Sequence, residues 1–308
     1  MKILIINDSI RGVVSNEETF WSVLSKRLPN CQAIALKDFR GNIEEYIKSV
    51  SPKVVIFNSI LGDIKIPSSV KKIVLLQDNF VAMDKKIPKT LKQKISKIIK
   101  GRNHFYPLSI KKQKEAINNS DITVAVSRDI ASSYDVGAKV IPIGVDSELF
   151  KPLDKEKLRI KYQIPNKFVK IFVGSTNLVK GFDVLRKEIK NDEESFYILV
   201  LKDKKTINLP YKNIKIFQRI PQTILAELYN CADKFVGRSR VETLWLTPIE
   251  AMFCNIPIDI TRVGIFADWY PNNKNPRQEV FQKGLDAETM IKKWRDLIES
   301  VDKNYEER

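Results

Sequence analysis

Short, nearly unbroken runs of valine, isoleucine and leucine recur along this chain, and they constrain its fold more than any other feature. KILIIN at 2–7, KVVIFN at 53–58, KKIVLL at 71–76, ITVAV at 122–126 and KVIPI at 139–143 are each of strand length with little polar alternation. A strand wetted on one face alternates apolar with polar residues. A continuous apolar run marks a strand covered on both faces, the condition of a parallel sheet flanked by helices. The segments between fit that reading. After a loop from Ser9 to Ser15, Phe20, Val23, Leu24 and Leu28 fall on one face of a helix starting near Ser15 or Asn16. The expected class is therefore α/β, doubly wound.

The pattern breaks between Asp146 and Asn166, which is charged and carries prolines but shows no strand signal. A second series follows: KIFVG at 170–174, FYILVL at 196–201, IKIF at 214–217, KFVG at 234–237 and IPIDIT at 256–261. At 308 residues the chain is long enough for two cores, so domains of 1–146 and 147–308 are expected, joined near that break. Asp286 is placed to cap a last helix whose Met290, Ile291, Trp294, Leu297 and Ile298 share one face; this helix is expected to be able to pack back toward the N-terminal domain.

Composition excludes several classes. No run of about 18 apolar residues is present to span a bilayer, and the apolar start MKILII breaks at Asn7-Asp8 as a first strand does, without a cleavage signal. Cys31, Cys231 and Cys254 are odd in number and far apart, which argues against a disulfide framework or a zinc site and for a reducing cytoplasm. The formal charge of +16 implies an anionic partner: nucleic acid, an acidic lipid surface or a phosphorylated substrate. From 85 to 114 eleven lysines and arginines occur without an acidic residue, beside an apolar stripe of Leu91, Ile95, Ile98 and Ile99. Such a stretch is either an ordinary solvated helix or a peripheral contact with an anionic membrane, at the inner face for a cytoplasmic protein. Nucleic acid is the weaker reading, because aromatic residues do not interleave with the lysines. His104 is the only histidine, and no metal role is assigned to it.

One stretch reads as a chemical device: VGRSRVETLWLTPIEAMFCN at 236–255. Glu242 and Glu250 bracket a segment in which Thr247 is expected to cap a helix, with Pro248 at its first position and Glu250 closing a capping box. The free N–H groups of such a helix start, near Leu246 and Thr247, form an anion site. Gly174, Lys180 and the helix expected from Gly181 offer another.

These residues resemble a known family, the retaining nucleotide-sugar glycosyltransferases of family 4, which have the GT-B fold of two Rossmann-like domains facing across a cleft. Val126-Ser127 and KVIPIGVDSELFKP (139–152) are similar to the end of that family's first domain and its linker. Phe172 to Gly181, FVGSTNLVKG, is similar to its first phosphate loop, and Glu242 with Glu250 matches its E-x7-E motif. The resemblance implies a first domain on the acceptor side and a second that binds the nucleotide sugar. It implies that Glu250 hydrogen-bonds the ribose, Glu242 contacts the donor sugar, and Lys180 binds the diphosphate beside Gly174 and Ser175. Arg219 falls where the family meets the base largely through backbone, and Gly12 is what remains of its Gly-rich first loop. Ser175 stands where the family usually carries an arginine, for which Arg238 or Arg240 could substitute, and Gln77 stands where it often has a histidine near the donor sugar. The implied reaction needs no metal or other cofactor. It moves a sugar from a nucleotide-diphosphate donor to a hydroxyl of a glycan, glycolipid or protein-linked glycan, and Glu242 and Lys180 are its catalytic candidates. The departures at Ser175 and Gln77 motivate an alternative, a catalytically degraded binding protein on the same fold that docks on anionic lipid or nucleic acid. A phosphorylase or epimerase of the same fold is a third reading.

Overall fold

The computed structural model describes residues 1–8, 20–87, 105–203 and 207–306, with backbone only at 105–106 and 303–306. Gly12, His104 and the stripe Leu91, Ile95, Ile98 and Ile99 lie outside the described residues. Two compact units are formed, one of Met1–Ile143 with Glu288–Arg308 and the other of Gly144–Ala287. The chain passes from the first unit to the second after Ile143, where a division at 146/147 was expected, and the last helix, expected to be able to pack back toward the first domain, is counted with the first unit from Glu288 onward.

The first unit runs β1 (Ile3–Asn7), α1 (Phe20–Arg27), β2 (Cys31–Ala35), α2 (Ile43–Val50), β3 (Val54–Asn58), a short 3-10 turn (Ser59–Leu61), β4 (Lys71–Leu76), α3 (Phe80–Lys86), α4 (Phe105–Asn118), β5 (Ile122–Ala125), α5 (Arg128–Tyr134) and β6 (Lys139–Val140). Its sheet has the order β2-β1-β3-β4-β5-β6, and every pairing is parallel. All five residues of β1 and of β3 are buried, as their unbroken apolar runs require. Leu4, Ile6, Val55, Phe57 and Val74 form one face of the core and pack with Ile47 of α2 and Ala116 of α4. The sequence reading missed β2. It is an edge strand, only half-buried, and CQAIA carries no run of branched residues. On α4, Lys112 pairs with Asp63 at 2.9 Å and Lys111 with Glu115 at 3.7 Å, so these two members of the lysine-rich stretch have acidic partners. Among the described residues no helix is long and apolar enough to cross a membrane.

The second unit runs α6 (Lys155–Lys161), β7 (Val169–Gly174), α7 (Phe182–Asn191), β8 (Phe196–Leu201), β9 (Ile214–Gln218), α8 (Gln222–Cys231), β10 (Lys234–Gly237), α9 (Leu246–Phe253), β11 (Ile258–Ile260), α10 (Ile265–Asp268) and α11 (Pro276–Gln282). Its sheet, β11-β10-β7-β8-β9, is again parallel throughout. Phe172, Phe182, Leu185, Tyr197, Leu199 and Val236 build its core. The supposed junction from Asp146 to Asn166 is part of this unit. Asp154 caps α6, Leu153 donates its N–H to Asn230, and Arg159 reaches the Cys231 carbonyl at 2.9 Å and the Asp233 carboxylate at 2.7 Å. Its charges are therefore held in place by distant partners.

The chain ends in α12 (Ala287–Glu306), whose Met290, Ile291, Trp294, Leu297, Ile298 and Val301 are buried. Phe20 lies 6.5 Å from Trp294 between ring centroids, and Arg295 donates to the Arg27 carbonyl. Both contacts tie α12 to α1.

Candidate functional site

In the second sheet β7 pairs with β8 on one side and with β10 on the other. The connections from the carboxyl ends of β7 and β10 therefore leave at the point where strand order reverses, where open α/β sheets form their ligand crevices. The segments there are 175–181 and 238–245, the two stretches singled out in the sequence.

The first loop is fixed from within. Asn177 accepts the Lys180 N–H at 3.0 Å and donates to Ser175 Oγ at 2.8 Å, while Thr176 donates both its N–H and its hydroxyl to Asp203, beyond β8. Gly181 then opens α7 in the left-handed region, at φ +65°, and a Cβ there would lie 1.8 Å from the Arg238 carbonyl oxygen. Only glycine permits this approach. The loops also join where Arg240 N–H donates to the Val179 carbonyl at 2.8 Å.

Across this junction Lys180 Nζ meets Glu242 Oε1 at 2.6 Å, and Ser239 donates its hydroxyl to the same oxygen at 2.7 Å. The Glu242 side chain is 10% exposed and that of Lys180 32%. The pair thus opens toward solvent on the lysine side, and an ammonium has three protons to donate.

Neither arginine that could substitute at Ser175 is unpaired. Arg240 forks onto both oxygens of Asp183 at 2.8 Å, and this guanidinium holds the Asp183 carboxyl below its ordinary range. Arg238 donates to Glu188 at 2.7 Å and to Asp259 at 2.9 Å. Lys180 is the loop's remaining cation.

Thr247 does not cap the following helix. α9 begins two residues earlier than expected, at Leu246 and not Pro248, after Trp245 in the left-handed region at φ +66°, and no side chain caps it. Packing accounts for the shift: the Trp245 indole lies against Gly237, where a Cβ would be 2.6 Å from it, and meets Phe266 edge-on at 6.2 Å. Leu246 and Thr247 supply the first N–H groups of α9, half-buried at its entrance. Glu250, on the next turn, is 9% exposed and accepts the Tyr229 hydroxyl of α8 at 2.8 Å. Burial first, and then the Glu250 charge, push the Tyr229 phenol pKa up, so it remains a donor. The same two causes raise the Cys254 thiol to about 12.

The other predicted residues are dispersed. Gly174 ends β7, and Arg219 follows β9 at φ +50°, exposed, with its N–H on the Leu201 carbonyl. Gln77 belongs to the first unit, after β4, and its Oε1 accepts from Trp21 Nε1 at 3.2 Å and Asn58 Nδ2 at 3.1 Å. An indole N–H can only donate, which fixes the orientation of that amide. Sequence reading missed Ser239, Asp203, Asp183 and Tyr229. Asp183 had a signal, an acid in the first helical turn after Gly181. Tyr229 had a faint one, since a phenol on a buried helix face needs a partner. Among the described residues no three His, Cys, Asp or Glu side chains are grouped to hold a metal ion.

Residues 154–307 match the family described as glycosyl transferases group 1. The chain belongs to that family. Over 192 residues it is 26% identical to the sulfoquinovosyl transferase of Arabidopsis thaliana, covering 57% of this chain and 36% of that protein. Over 142 residues it is 28% identical to a D-inositol 3-phosphate glycosyltransferase of Segniliparus rotundus, covering 41% and 32%. The chain thus spans about a third of the length of these curated relatives. A sucrose-phosphate synthase from Thermosynechococcus elongatus superposes with a TM-score of 0.78 at 16% identity, over 99% of this chain and all of that one. HepE of Anabaena, solved with UDP and glucose, gives 0.69 at 15% identity, over 97% and 100%. This group 1 chain accordingly has the two-domain α/β architecture of GT-B glycosyltransferases.

Proposed function

We propose that this protein is a retaining, metal-independent glycosyltransferase that moves a sugar from a nucleotide-diphosphate donor to a hydroxyl of a glycan or glycolipid acceptor. The observation that carries this reading is the Lys180–Glu242 pair, which joins the loops after β7 and β10 at the sheet's switch point. A leaving diphosphate needs a cation and oriented N–H groups where its charge develops. Lys180, the start of α7 behind Gly181 and the uncapped start of α9 are of that kind. Among the described residues both partners of Glu242 meet Oε1, and Oε2 is the oxygen proposed to accept from a donor-sugar hydroxyl. Glu250 hydrogen-bonds the ribose. Names of relatives support the donor class: two are sugar transferases, and one structural neighbour holds UDP and glucose.

The proposed course is front-side. The acceptor oxygen bonds to the anomeric carbon from the face the diphosphate leaves, and the anomeric C–O bond breaks with its electron pair passing to the phosphate oxygen. That oxygen takes the acceptor's proton, while Lys180 offsets its charge. A thermal-shift series with UDP, GDP, ADP and their sugars identifies the donor by stabilisation. With that donor, Lys180→Ala is expected to cut kcat by about 10²–10³-fold, Glu250→Ala to raise donor KM, and product analysis to find the anomeric configuration retained. Unchanged kinetics in both variants sink the assignment.

The engaged arginines favour a second reading. With Arg238 and Arg240 committed to carboxylates, Lys180, part-exposed beside Glu242, is the one cation within residues 175–181, and a protein that binds a nucleotide sugar without transferring it would need no more. Donor-induced stabilisation with neither transfer nor hydrolysis selects that reading.

A further inference from the structure

We infer that Tyr229 is a positioning residue for ribose recognition: its hydroxyl fixes the plane of the Glu250 carboxylate that meets the nucleotide. The inference rests on the ribose role proposed for Glu250 and assigns a task to a residue that touches no ligand. Tyr229 is fully buried on α8, and its hydroxyl lies 2.8 Å from Glu250 Oε2 on α9. Facing a carboxylate, the phenol must donate, and burial together with the Glu250 charge keeps its proton on. The ring is itself held, edge-on to Phe150 at 6.0 Å and tilted against Phe235 at 6.3 Å.

The chemistry follows from the glutamate's last torsion, which is soft and broad. A carboxylate free to turn presents its lone pairs in many directions, and a ribose diol, which offers two donors at a fixed spacing, needs one of them. A short bond from a buried, close-packed donor selects that direction before the nucleotide arrives, so the ordering cost is not met on binding.

The test is nucleotide affinity by titration calorimetry. UDP, GDP and ADP are tried first on the unaltered protein, and the one that binds is compared with its 2′-deoxy and 3′-deoxy forms. Tyr229→Phe, which keeps the ring, is expected to weaken the ribonucleotide by about tenfold while leaving the weaker-binding deoxy forms where they were. The ratio between them therefore shrinks. Tyr229→Met, apolar and without a hydroxyl, is the second variant should the first not fold. A merely structural role would weaken all forms by the same factor. That result, or an unchanged ratio, overturns the inference if Glu250→Gln does erase the ratio. If Glu250→Gln leaves the ratio intact, or if no nucleotide binds the unaltered protein, the ribose role of Glu250 falls and the inference with it.

Discussion

Gly181 carries two demands that no other residue meets together. Its φ of +65° lies in the left-handed region, and the position of its absent Cβ is 1.8 Å from the Arg238 carbonyl oxygen. The first demand alone costs an alanine about 1–2 kcal/mol. The second cannot be relieved by a rotamer, because the obstacle is backbone. It must push apart the loops that bring Lys180 to Glu242. Gly181→Ala is therefore expected to lower stability by about 2 kcal/mol or more, read as a shifted urea midpoint, and to cost nucleotide affinity by displacing Lys180. A midpoint and affinity both at the unaltered values would show that the loops absorb the methyl group. The same junction explains which site residues were readable. Lys180, Glu242 and Glu250 stand in recognisable strings; Ser239 and Tyr229 act only through contacts made on folding, and Tyr229 is 21 residues from the carboxylate it holds.

Between elements, Asp233 ties α6 to the amino ends of β7 and β10. It accepts from Lys155 at 2.8 Å, Arg159 at 2.7 Å and the Val169 N–H at 2.8 Å. Burial pushes its pKa up, but those three donors outweigh burial and hold it below the ordinary carboxylate range. A carboxyl whose folded pKa is depressed contributes stability above its unfolded pKa, about 3.9, and that contribution is lost as pH falls through the folded value. Asp233→Asn is expected to cost about 1–2 kcal/mol at neutral pH and to flatten the decline of stability below about pH 4. Urea melts at several pH values check this, and an acid limb as steep as that of the unaltered protein counts against it. The ties of Asp233 also show why residues 146–166 read as a linker. Their charges suggest solvent, and the acids and carbonyl that hold Lys155, Arg159 and Lys161 lie 66 to 78 residues further on. Central strands were legible because burial on both faces writes itself as an unbroken apolar run. β2 was not, since a half-buried edge strand has no such signature. The start of α9 lies two residues before the expected one because Trp245 packing, not Thr247 capping, sets it.

At the scale of the whole chain, the first unit is assembled from both ends of the sequence. The chain leaves it after Ile143 and returns at Glu288. The last helix contributes Trp294, which is fully buried, within reach of the Phe20 ring. The proposed nucleotide contacts Lys180, Glu242 and Glu250 belong to the other unit, so stability and binding should be separable by position. Trp294→Ala removes a large core side chain, and such truncations cost about 3–5 kcal/mol. The loss is expected in the first unit, read as a lowered urea midpoint with fluorescence and circular dichroism followed together. Where the variant remains folded, its affinity for the nucleotide that stabilises the unaltered protein should match, because no contact assigned to that ligand involves α12. An unaltered midpoint would contradict the burial of Trp294. A weakened affinity in folded Trp294→Ala would contradict the separation, and would mean that ligand binding depends on how the last helix packs.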